Sequence, residues 1–350
     1  MVTSRNAPTT PNTSTYGTSG AGRDYTALAT WEAATDNDLV TATAGEILDC
    51  YDDAASFDDN VDMADSTVNT AYYRLIRSAS GQGHDGTPNN GVHFIPTSDG
   101  GGSSAGAFQV HENNSSFQDF IISLSENGAG SSRVIRTFGT LNRIVGVIDN
   151  DSVNAGSGSA RSFAIDGNQG ICINCISINA ERHGFDNSPG AGNTGYFYNN
   201  TAIGAGVEGF HYSGGTAGVL KNCLGSGNTT DFDTGGTWTG SITCASSDTS
   251  ASSLPTGGHR ASQTFTFENA AGDDYHLQSS DAGAKDFGTD LSSDAFISFD
   301  DDINDGTMGG GKAGQTRSGS WDIGFDEFIA VPLPPVPDVI KQAVSRKAIY

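Results

Sequence analysis

The sequence predicts an all-β fold: a right-handed parallel β-helix with a short N-terminal capping helix and extended terminal arms. One series of residues that recurs along the chain consists of phenylalanines, namely Phe163, Phe185, Phe210 and Phe232. A second series keeps phase with it and consists of asparagines, namely Asn174, Asn199 and Asn222. Two unlike residue types repeated together roughly every 20 to 30 residues are typical of a solenoid whose turns stack on one another. The segments contain little that favours helix, so we expect stacked strands about 4.8 Å apart.

The composition also favours a solenoid. Of the 350 residues 47 are glycine, and hydrophobic residues make up 35%. A β-helix needs a thin inner column of apolar side chains, with glycine and polar residues at its corners. The formal net charge of −24 disfavours binding to the phosphates of DNA or RNA. No stretch approaches the length of about 20 apolar residues that spans a bilayer, so no membrane partner is expected.

The cysteines and the start of the chain bear on where the protein is made. Five cysteines are an odd number, which favours free thiols stacked in a wall over a disulfide framework. A contact between Cys223 and Cys244 on neighbouring turns is the alternative. The first 30 residues contain no apolar run of signal-peptide length, so we expect a protein made and used without the general secretion route.

The N-terminal region is predicted in two parts. Residues 1–22 are rich in Thr, Ser, Asn, Pro and Gly, and we expect an arm that is flexible or bound to a partner. Residues 23–105 should hold the capping helix and the first irregular turns. Tyr25, Leu28 and Trp31 have helical spacing, with Asp24 placed as the N-cap. Such a helix would cover the open end of the solenoid, where strand edges and core are otherwise exposed.

Residues 106–260 are expected to form the regular turns. Three segments align with one another, and they begin at Gly170, Gly195 and Gly218. In each of them an asparagine of the series falls between two short strands, at a corner whose left-handed backbone asparagine tolerates. Alternation along the strands predicts three inward-facing side chains: Cys172, Phe197 and Leu220.

The same alternation predicts an apolar strip on the outer wall. Its members are Ile171, Ile173, Tyr196, Tyr198 and Val219. An apolar outer strip is more than a soluble monomer needs, which indicates a contact surface for another chain. Cover by the protein's own loops, or a misjudged alternation, are the alternatives.

The end of the chain changes character. Residues 261–330 are expected to close the solenoid, and residues 331–350 to form a Pro-rich docking arm. Residues 331–337 should be extended polyproline. The segment after them favours an amphipathic helix with Ile340 and Val344 near one face, in a locally basic stretch of an acidic protein. A disordered terminus is the alternative.

The repeated turns, the asparagine corners and the closing segment resemble right-handed parallel β-helix proteins of the pectate-lyase-like superfamily. The run from Trp321 to Glu327, WDIGFDE, is similar to the Asp-Ile-Gly-x-x-Glu closure of many bacterial and phage β-helix chains. The opening from Asp24 to Glu32, DYTALATWE, resembles the start of phage-encoded members. The likeness covers residues 23–330. It implies the fold but not an activity, because the superfamily includes lyases, hydrolases, epimerases and structural proteins without activity.

Two pairs of polar residues align on neighbouring turns, His183 with Glu208 and Asp186 with His211. Such a group is a candidate acid–base patch for sugar chemistry. Polar turn residues stacked without a catalytic function are the alternative, and no catalytic motif of the superfamily matches these positions. The histidines, including His84, His93 and His276, are scattered along the chain and show no metal-ligand spacing.

A second candidate site lies near the end of the solenoid. Asp300, Asp302 and Asn304 have the alternate spacing of an EF-hand calcium loop. However, Asp305 stands where such a loop has glycine, and Gly311 where it has a bidentate glutamate. A closing turn is therefore the preferred interpretation. We expect no cofactor, with Ca²⁺ as the alternative.

Three functions follow from these patterns. The first is a non-catalytic structural protein of a bacteriophage virion, displayed on the particle exterior as a capsid decoration or cement protein, and otherwise as a spike or fibre component. It would be made in the host cytoplasm and form a homo-oligomer, taken as a trimer, that contacts virion proteins such as the major capsid protein. The second is a polysaccharide lyase or hydrolase, for example a tailspike depolymerase. The third is an adhesin in which Tyr196 and Tyr198 stack on host surface glycans.

Overall fold

The computed structural model of the protein describes residues 2–3, 7–97, 106–126, 131–154, 159–188, 190, 192–214, 217–233, 235–255, 257–299, 317 and 319–328. In this part of the chain, each regular turn contributes one strand to each of three parallel sheets, so the chain coils as a β-helix. The predicted all-β solenoid is confirmed.

The three sheets differ in what their strands carry. The first sheet contains the asparagine corners and consists of Asn12–Tyr16, Glu46–Cys50, Arg74–Ser78, Ser116–Gln118, Arg143–Val145, Ile171–Ile173, Thr194–Tyr198 and Ala217–Lys221. The second follows it in each turn and consists of His93–Phe94, Ile121–Ile122, Ile148–Asn150, Ile176–Ile178, Thr201–Ile203, Leu224–Ser226 and Ala245–Ser246. The third contains the phenylalanine series and consists of Val61–Met63, Gly106–Val110, Ser131–Thr137, Ser159–Ile165, His183–Asn187, Glu208–Tyr212 and Thr230–Phe232.

Smaller elements complete the structure. Three further strand pairs are Val2–Thr3 with Ile297–Ser298, Ser125–Glu126 with Val153–Asn154, and the antiparallel Phe267–Asn269 with Asp274–Leu277. The α-helices of the described residues are Leu28–Thr35 and Leu39–Ala42. The 3₁₀ turns are Ser19–Ala21, Ser250–Ser253 and Ala270–Gly272.

The phenylalanine series forms a column in the core, as its spacing predicts. Phe163 stacks on Phe185 with ring centroids 5.1 Å apart, Phe185 on Phe210 at 4.8 Å, and Phe210 on Phe232 at 4.9 Å. All four rings are fully buried. The separations match the spacing of neighbouring strands, because each ring comes from the same position of successive turns.

The asparagine series occupies the corners between the first and second sheets. Asn174, Asn199 and Asn222 have φ angles of 51°, 52° and 52°, and all three are buried. A residue with a branched side chain would be strained in this left-handed region, whereas asparagine is tolerated there. The structural interpretation of the asparagines is confirmed, and so is the inward placement of Cys172, Phe197 and Leu220, which all lie in the main core cluster.

The N-terminal end of the solenoid is covered by the helix Leu28–Thr35, whose Leu28 and Trp31 are buried in the main core cluster. The predicted N-cap is wrong. The helix begins at Leu28, and Asp24 instead accepts hydrogen bonds from the amide and hydroxyl of Thr15 at 2.8 Å. The free amide of Leu28 donates to the Asp59 carboxylate at 2.7 Å, so a residue 31 positions away along the chain caps the helix.

Arg74 ties this helix to the sheets. Its guanidinium is fully buried and donates to Glu112 Oε2 at 2.6 Å, to Glu32 Oε1 at 3.2 Å and to the carbonyl of Ala64 at 2.7 Å. Because Glu32 lies on the capping helix and Arg74 begins a strand of the first sheet, this ion network fixes the helix on the first turns.

The N-terminal segment differs from the predicted arm. Asn12–Tyr16 is a strand of the first sheet and pairs in parallel with Glu46–Cys50. Its polar composition does not prevent this, because an edge strand is held by backbone hydrogen bonds and two of its residues are β-branched threonines. Tyr16 closes the core here, with its ring 5.1 Å from Phe57 and its hydroxyl 3.0 Å from Asp59.

The closing segment is held by a buried ion pair and backbone contacts. Arg317 donates to Glu327 Oε2 at 3.3 Å and to the Gly324 carbonyl at 3.0 Å, and the same Glu327 oxygen accepts from the amide of Asp322 at 2.9 Å. The amide of Gly324 donates to the carbonyl of Asn222 at 2.8 Å, which joins the segment to an asparagine corner. The residues that resembled a β-helix closure therefore pack onto the solenoid itself.

The five cysteines all lie in the described part of the chain, and there they are buried and free. Among the described helices, none combines the length and apolar character needed to cross a bilayer.

Candidate functional site

The four predicted acid–base residues meet on the third sheet. The strands His183–Asn187 and Glu208–Tyr212 are neighbours, with His183 opposite Glu208 and Asp186 opposite His211. The predicted alignment of these two pairs is therefore confirmed. Their side chains are also in contact with one another, which alignment alone does not require.

A bend at Gly184 places His183 on the same face as the other three side chains. Phe185 points into the core, so alternation puts Asp186 on the outer face and would put His183 inside. However, a Cβ at Gly184 would lie 2.9 Å from the carbonyl of Gly209 and 3.1 Å from Ser177 Oγ of the second sheet. Gly184 and Phe185 therefore both face inward, and the strand turns so that His183 joins Asp186 outside.

Asp186 is the best-satisfied carboxylate of the group. It is fully buried, and it accepts from Arg161 Nη1 at 2.5 Å, from His211 Nδ1 at 2.8 Å and from Ser188 Oγ at 2.7 Å. Burial raises the pKa of a carboxyl, but the hydrogen bond from His211 and the charge of Arg161 outweigh burial and hold the pKa of Asp186 below its ordinary value. Asp186 is therefore a fixed anion that orients its neighbours.

His183 and Glu208 are close but poorly satisfied. His183 Nδ1 lies 2.6 Å from Glu208 Oε2, yet the angle of this contact falls outside hydrogen-bond geometry. Both His183 nitrogens and Glu208 Oε2 are therefore buried without a hydrogen-bond partner. Burial, together with the neighbouring His211, lowers the pKa of His183 to about 3. Burial also raises the pKa of Glu208. His183 is therefore a neutral imidazole at neutral pH.

The two histidines and Glu208 have a ligand set that suits a metal ion. The rings of His183 and His211 stack with centroids 3.9 Å apart and planes 5° from parallel. Ligand atoms of His183, Glu208 and His211 all lie within 4.8 Å of one another. The side chains of Glu208 and His211 are 21% and 17% exposed, so solvent reaches this group from their side.

A row of arginines extends the same face, and sequence reasoning missed it. Arg133 pairs in register with Arg161, and Arg161 with His183. Arg133 is buried with its Nε and Nη1 unpartnered, and burial together with Arg136 lowers its pKa. Arg136 pairs with Asp166. The sequence contains a signal for Arg161. It lies two residues before Phe163, just as His183 lies two residues before Phe185, so the two residues occupy the same position in successive turns.

The predicted contact surface on the outer wall is corrected. Ile171, Ile173 and Tyr198 are fully buried within the chain, and Tyr196 and Val219 are partly buried against the same cluster. The residues that cover them come from the closing region: Leu291, Phe296, Ile297, Phe299 and Trp321. The alternation was judged correctly, and the open alternative of cover by the protein's own loops is what the structure contains.

Aromatic stacking and side-chain bonds hold this cover in place. The ring of Phe296 stacks on Tyr196 with centroids 3.9 Å apart. The side-chain amide of Asn222 makes two hydrogen bonds to the backbone of Thr289. Its Nδ2 donates to the Thr289 carbonyl at 2.8 Å, and its Oδ1 accepts from the Thr289 amide at 2.9 Å. Since Tyr198 is buried and Tyr196 is stacked, the pair no longer supports a sugar-binding platform.

The remaining predicted residues cannot be placed. Asp300, Asp302 and Asn304 of the calcium-like loop lie outside the described residues. Ile340 and Val344 of the C-terminal arm also lie outside them. Both predictions stay predictions.

No protein family, curated protein or solved structure matches the chain. The parallel β-helix therefore rests on the structure itself, and the resemblance to phage-encoded β-helix proteins stays a prediction from the sequence.

Proposed function

We propose that this chain is a non-catalytic structural protein of a bacteriophage virion. It is displayed on the particle exterior as a capsid decoration or cement protein, and otherwise as a component of a spike or fibre. The observation that carries the proposal is the state of Asp186. This carboxylate accepts from Arg161, His211 and Ser188 at once, so Asp186 of the predicted acid–base patch is engaged in holding its neighbours and is not open to a substrate.

The construction of the solenoid supports a structural role. Its first turns are covered by a helix that Arg74 anchors, and its apolar outer wall is covered by the chain's own closing region. A ladder with few open strand edges resists unfolding and unwanted pairing with other chains. The resemblance of the opening segment to phage-encoded members, together with a closing segment similar to those of bacterial and phage β-helix chains, supports the virion as its location.

The partners follow from this role. We propose a homo-oligomer, taken as a trimer, that attaches to the major capsid protein or a neighbouring virion protein. The acidic surface, with a formal net charge of −24, favours a basic patch as the docking surface of that partner. Glycan binding at the particle surface is not needed for this role.

The proposal is tested by the presence and copy number of the chain in purified intact particles. Quantitative mass spectrometry should find the chain in the particles, in hundreds of copies for a shell decoration and in a handful for a spike. Light scattering of the purified chain should give three times the mass of one copy. Absence of the chain from intact particles would overturn the proposal.

A polysaccharide lyase or hydrolase is the second candidate. It is favoured by one observation: the His183, Asp186, Glu208 and His211 side chains converge beside a row of arginines. In such an enzyme the Asp186–His211 pair would act as the general base, and the arginines would attract an anionic sugar.

The enzyme is tested by release of reducing ends or unsaturated uronates from acidic polysaccharides. If the chain is active, His211→Ala should lower the rate by about 10²- to 10⁴-fold, the usual contribution of a general base. Phe287→Ala on the exposed surface should leave the rate unchanged. Activity with this dependence would replace the structural proposal.

A further inference from the structure

The group formed by His183, Glu208 and His211 has an unsatisfied interior. His183 is 1% exposed, and both of its ring nitrogens lack a hydrogen-bond partner. The Oε2 atom of Glu208, 2.6 Å from His183 Nδ1, lacks one too. Buried polar atoms in folded proteins are nearly always satisfied, so three such atoms at one place need a reason.

The facing atoms of His183 and Glu208 lack a partner for their lone pairs. The buried imidazole of His183 presents a lone pair, and a carboxylate oxygen presents lone pairs as well. With its hydrogen on Nε2, His183 turns the lone pair of Nδ1 toward Glu208 Oε2 at 2.6 Å, and these two atoms repel each other unless a positive charge lies beside both. A bound cation supplies that charge and gives Nδ1 of His183 and Oε2 of Glu208 a shared partner.

His211 is prepared for the same role by its neighbour. Asp186 accepts a hydrogen bond from His211 Nδ1 at 2.8 Å, which fixes the proton on Nδ1 and leaves the lone pair on Nε2. A carboxylate behind a histidine is the usual outer partner of a metal ligand, because it orients the ring and raises its basicity. Arg161 and Ser188 hold Asp186 in turn.

We propose that His183, Glu208 and His211 bind a divalent cation of the zinc class, with water as the fourth ligand. Two imidazoles and one carboxylate form a ligand set typical of Zn²⁺ and its first-row neighbours, whereas Ca²⁺ and Mg²⁺ prefer oxygen ligands alone. The exposed sides of Glu208 and His211 give the ion and its water access from solvent.

Binding requires a small rearrangement. Bonds of about 2.0–2.1 Å in a tetrahedral site bring the ligand atoms to roughly 3.4 Å from one another. The atoms now lie within 4.8 Å, and the rings are parallel, so the two imidazoles splay apart until their lone pairs converge. The ion then links two successive turns, because His183 lies on one strand and Glu208 with His211 on the next.

The site is tested by titrating chelator-treated full-length protein with ZnCl₂ in a calorimeter and with CoCl₂ in an absorption spectrometer. We expect one Zn²⁺ per chain and the visible absorption of tetrahedral Co²⁺. Glu208→Gln and His211→Ala should each weaken Zn²⁺ binding by about 100-fold or more, because each removes one of three ligands. Asp186→Asn, a change to a positioning residue, should weaken it by about 10- to 100-fold.

His111→Ala is the matched control. His111 follows another strand of the same sheet and lies 3.4 Å from Asp62, but it is far along the chain from the proposed ligands. This variant should bind Zn²⁺ like the wild type. Circular dichroism confirms that each variant is folded, and Glu208→Gln decides the matter if His211→Ala does not fold, because the Glu208 side chain is partly exposed.

Two results would overturn the proposal: a wild-type protein that binds neither ion, or Zn²⁺ binding that persists unchanged in both Glu208→Gln and His211→Ala. The site does not depend on the proposed virion role. Absence from particles would leave the Zn²⁺ titration unaffected, and failure to bind Zn²⁺ would leave the particle composition unaffected.

Discussion

Replacing Phe210 with alanine tests the column on which the solenoid is built. Phe210 is fully buried and stacks on Phe185 at 4.8 Å and on Phe232 at 4.9 Å. The substitution removes the buried ring and leaves a cavity that stacked turns cannot easily close. We expect the free energy of unfolding to fall by about 3–5 kcal/mol, the usual range for a buried phenylalanine.

The position within the column adds a second, sharper expectation. Phe232 is equally buried, but in the described structure its ring stacks on Phe210 alone. An aromatic pair contributes about 0.5–1.5 kcal/mol beyond the area it buries. Phe232→Ala should therefore destabilise the protein less than Phe210→Ala, by about that amount.

Urea unfolding followed by far-UV circular dichroism measures both values. The comparison holds only if the free energy of unfolding depends on urea concentration with the same slope in every variant, because repeat proteins can lose cooperativity. Phe287→Ala is the control, since Phe287 is 42% exposed and its loss should cost about 1 kcal/mol or less. If Phe210→Ala is no more harmful than this control, the rings do not form a buried column and the chain is not stacked as a β-helix.

Three further predictions concern buried groups. Arg74→Ala should lower the free energy of unfolding by about 3–5 kcal/mol, because it leaves Glu112 buried without its cation. The double change Arg74→Met with Glu112→Leu should recover part of this loss, and urea unfolding measures both variants. Burial raises the pKa of Asp149 to about 7. The folded state therefore holds a proton that the unfolded state releases above about pH 4. As a result, the free energy of unfolding should fall by up to roughly 4 kcal/mol as the pH rises from 4 to 7. Asp149→Asn should remove this slope in unfolding curves taken across the same range, and a slope that persists would contradict the assignment. Trp321→Ala should lower the free energy of unfolding by about 3–5 kcal/mol, because it opens the cover of the outer wall. Light scattering should show an unchanged oligomeric state. A change of that state would mean that this wall is an interface between copies.

The sequence predicted the parts of the site that repeat. Because Phe185 and Phe210 belong to one series, their neighbours fall into register, and this alone paired Asp186 with His211. The bend at Gly184 was not predictable in the same way. Strict alternation would turn His183 inward, and the close approach of the neighbouring turn, which excludes a side chain at Gly184, is known only from the assembled turns.

The helix cap shows the same division. Asp24 had the residue type and spacing of an N-cap, which is a local pattern. The structure instead caps Leu28 with Asp59, because the chain returns after 31 residues and places that carboxylate beside the free amide. A contact of this kind depends on the path of the chain and leaves no local pattern.

By itself, the sequence determined the repeat: the period, the inward column of Phe163 to Phe232, the left-handed corners and the apolar wall at Ile171 and Tyr198. These depend on properties that recur within a single turn, so they are visible in one dimension. The tertiary structure alone decided what covers that wall, since residues 291–299 and 321 return to it from far along the chain. It also decided which polar atoms remain unsatisfied, because hydrogen-bond geometry at His183 is set by side chains from three successive turns.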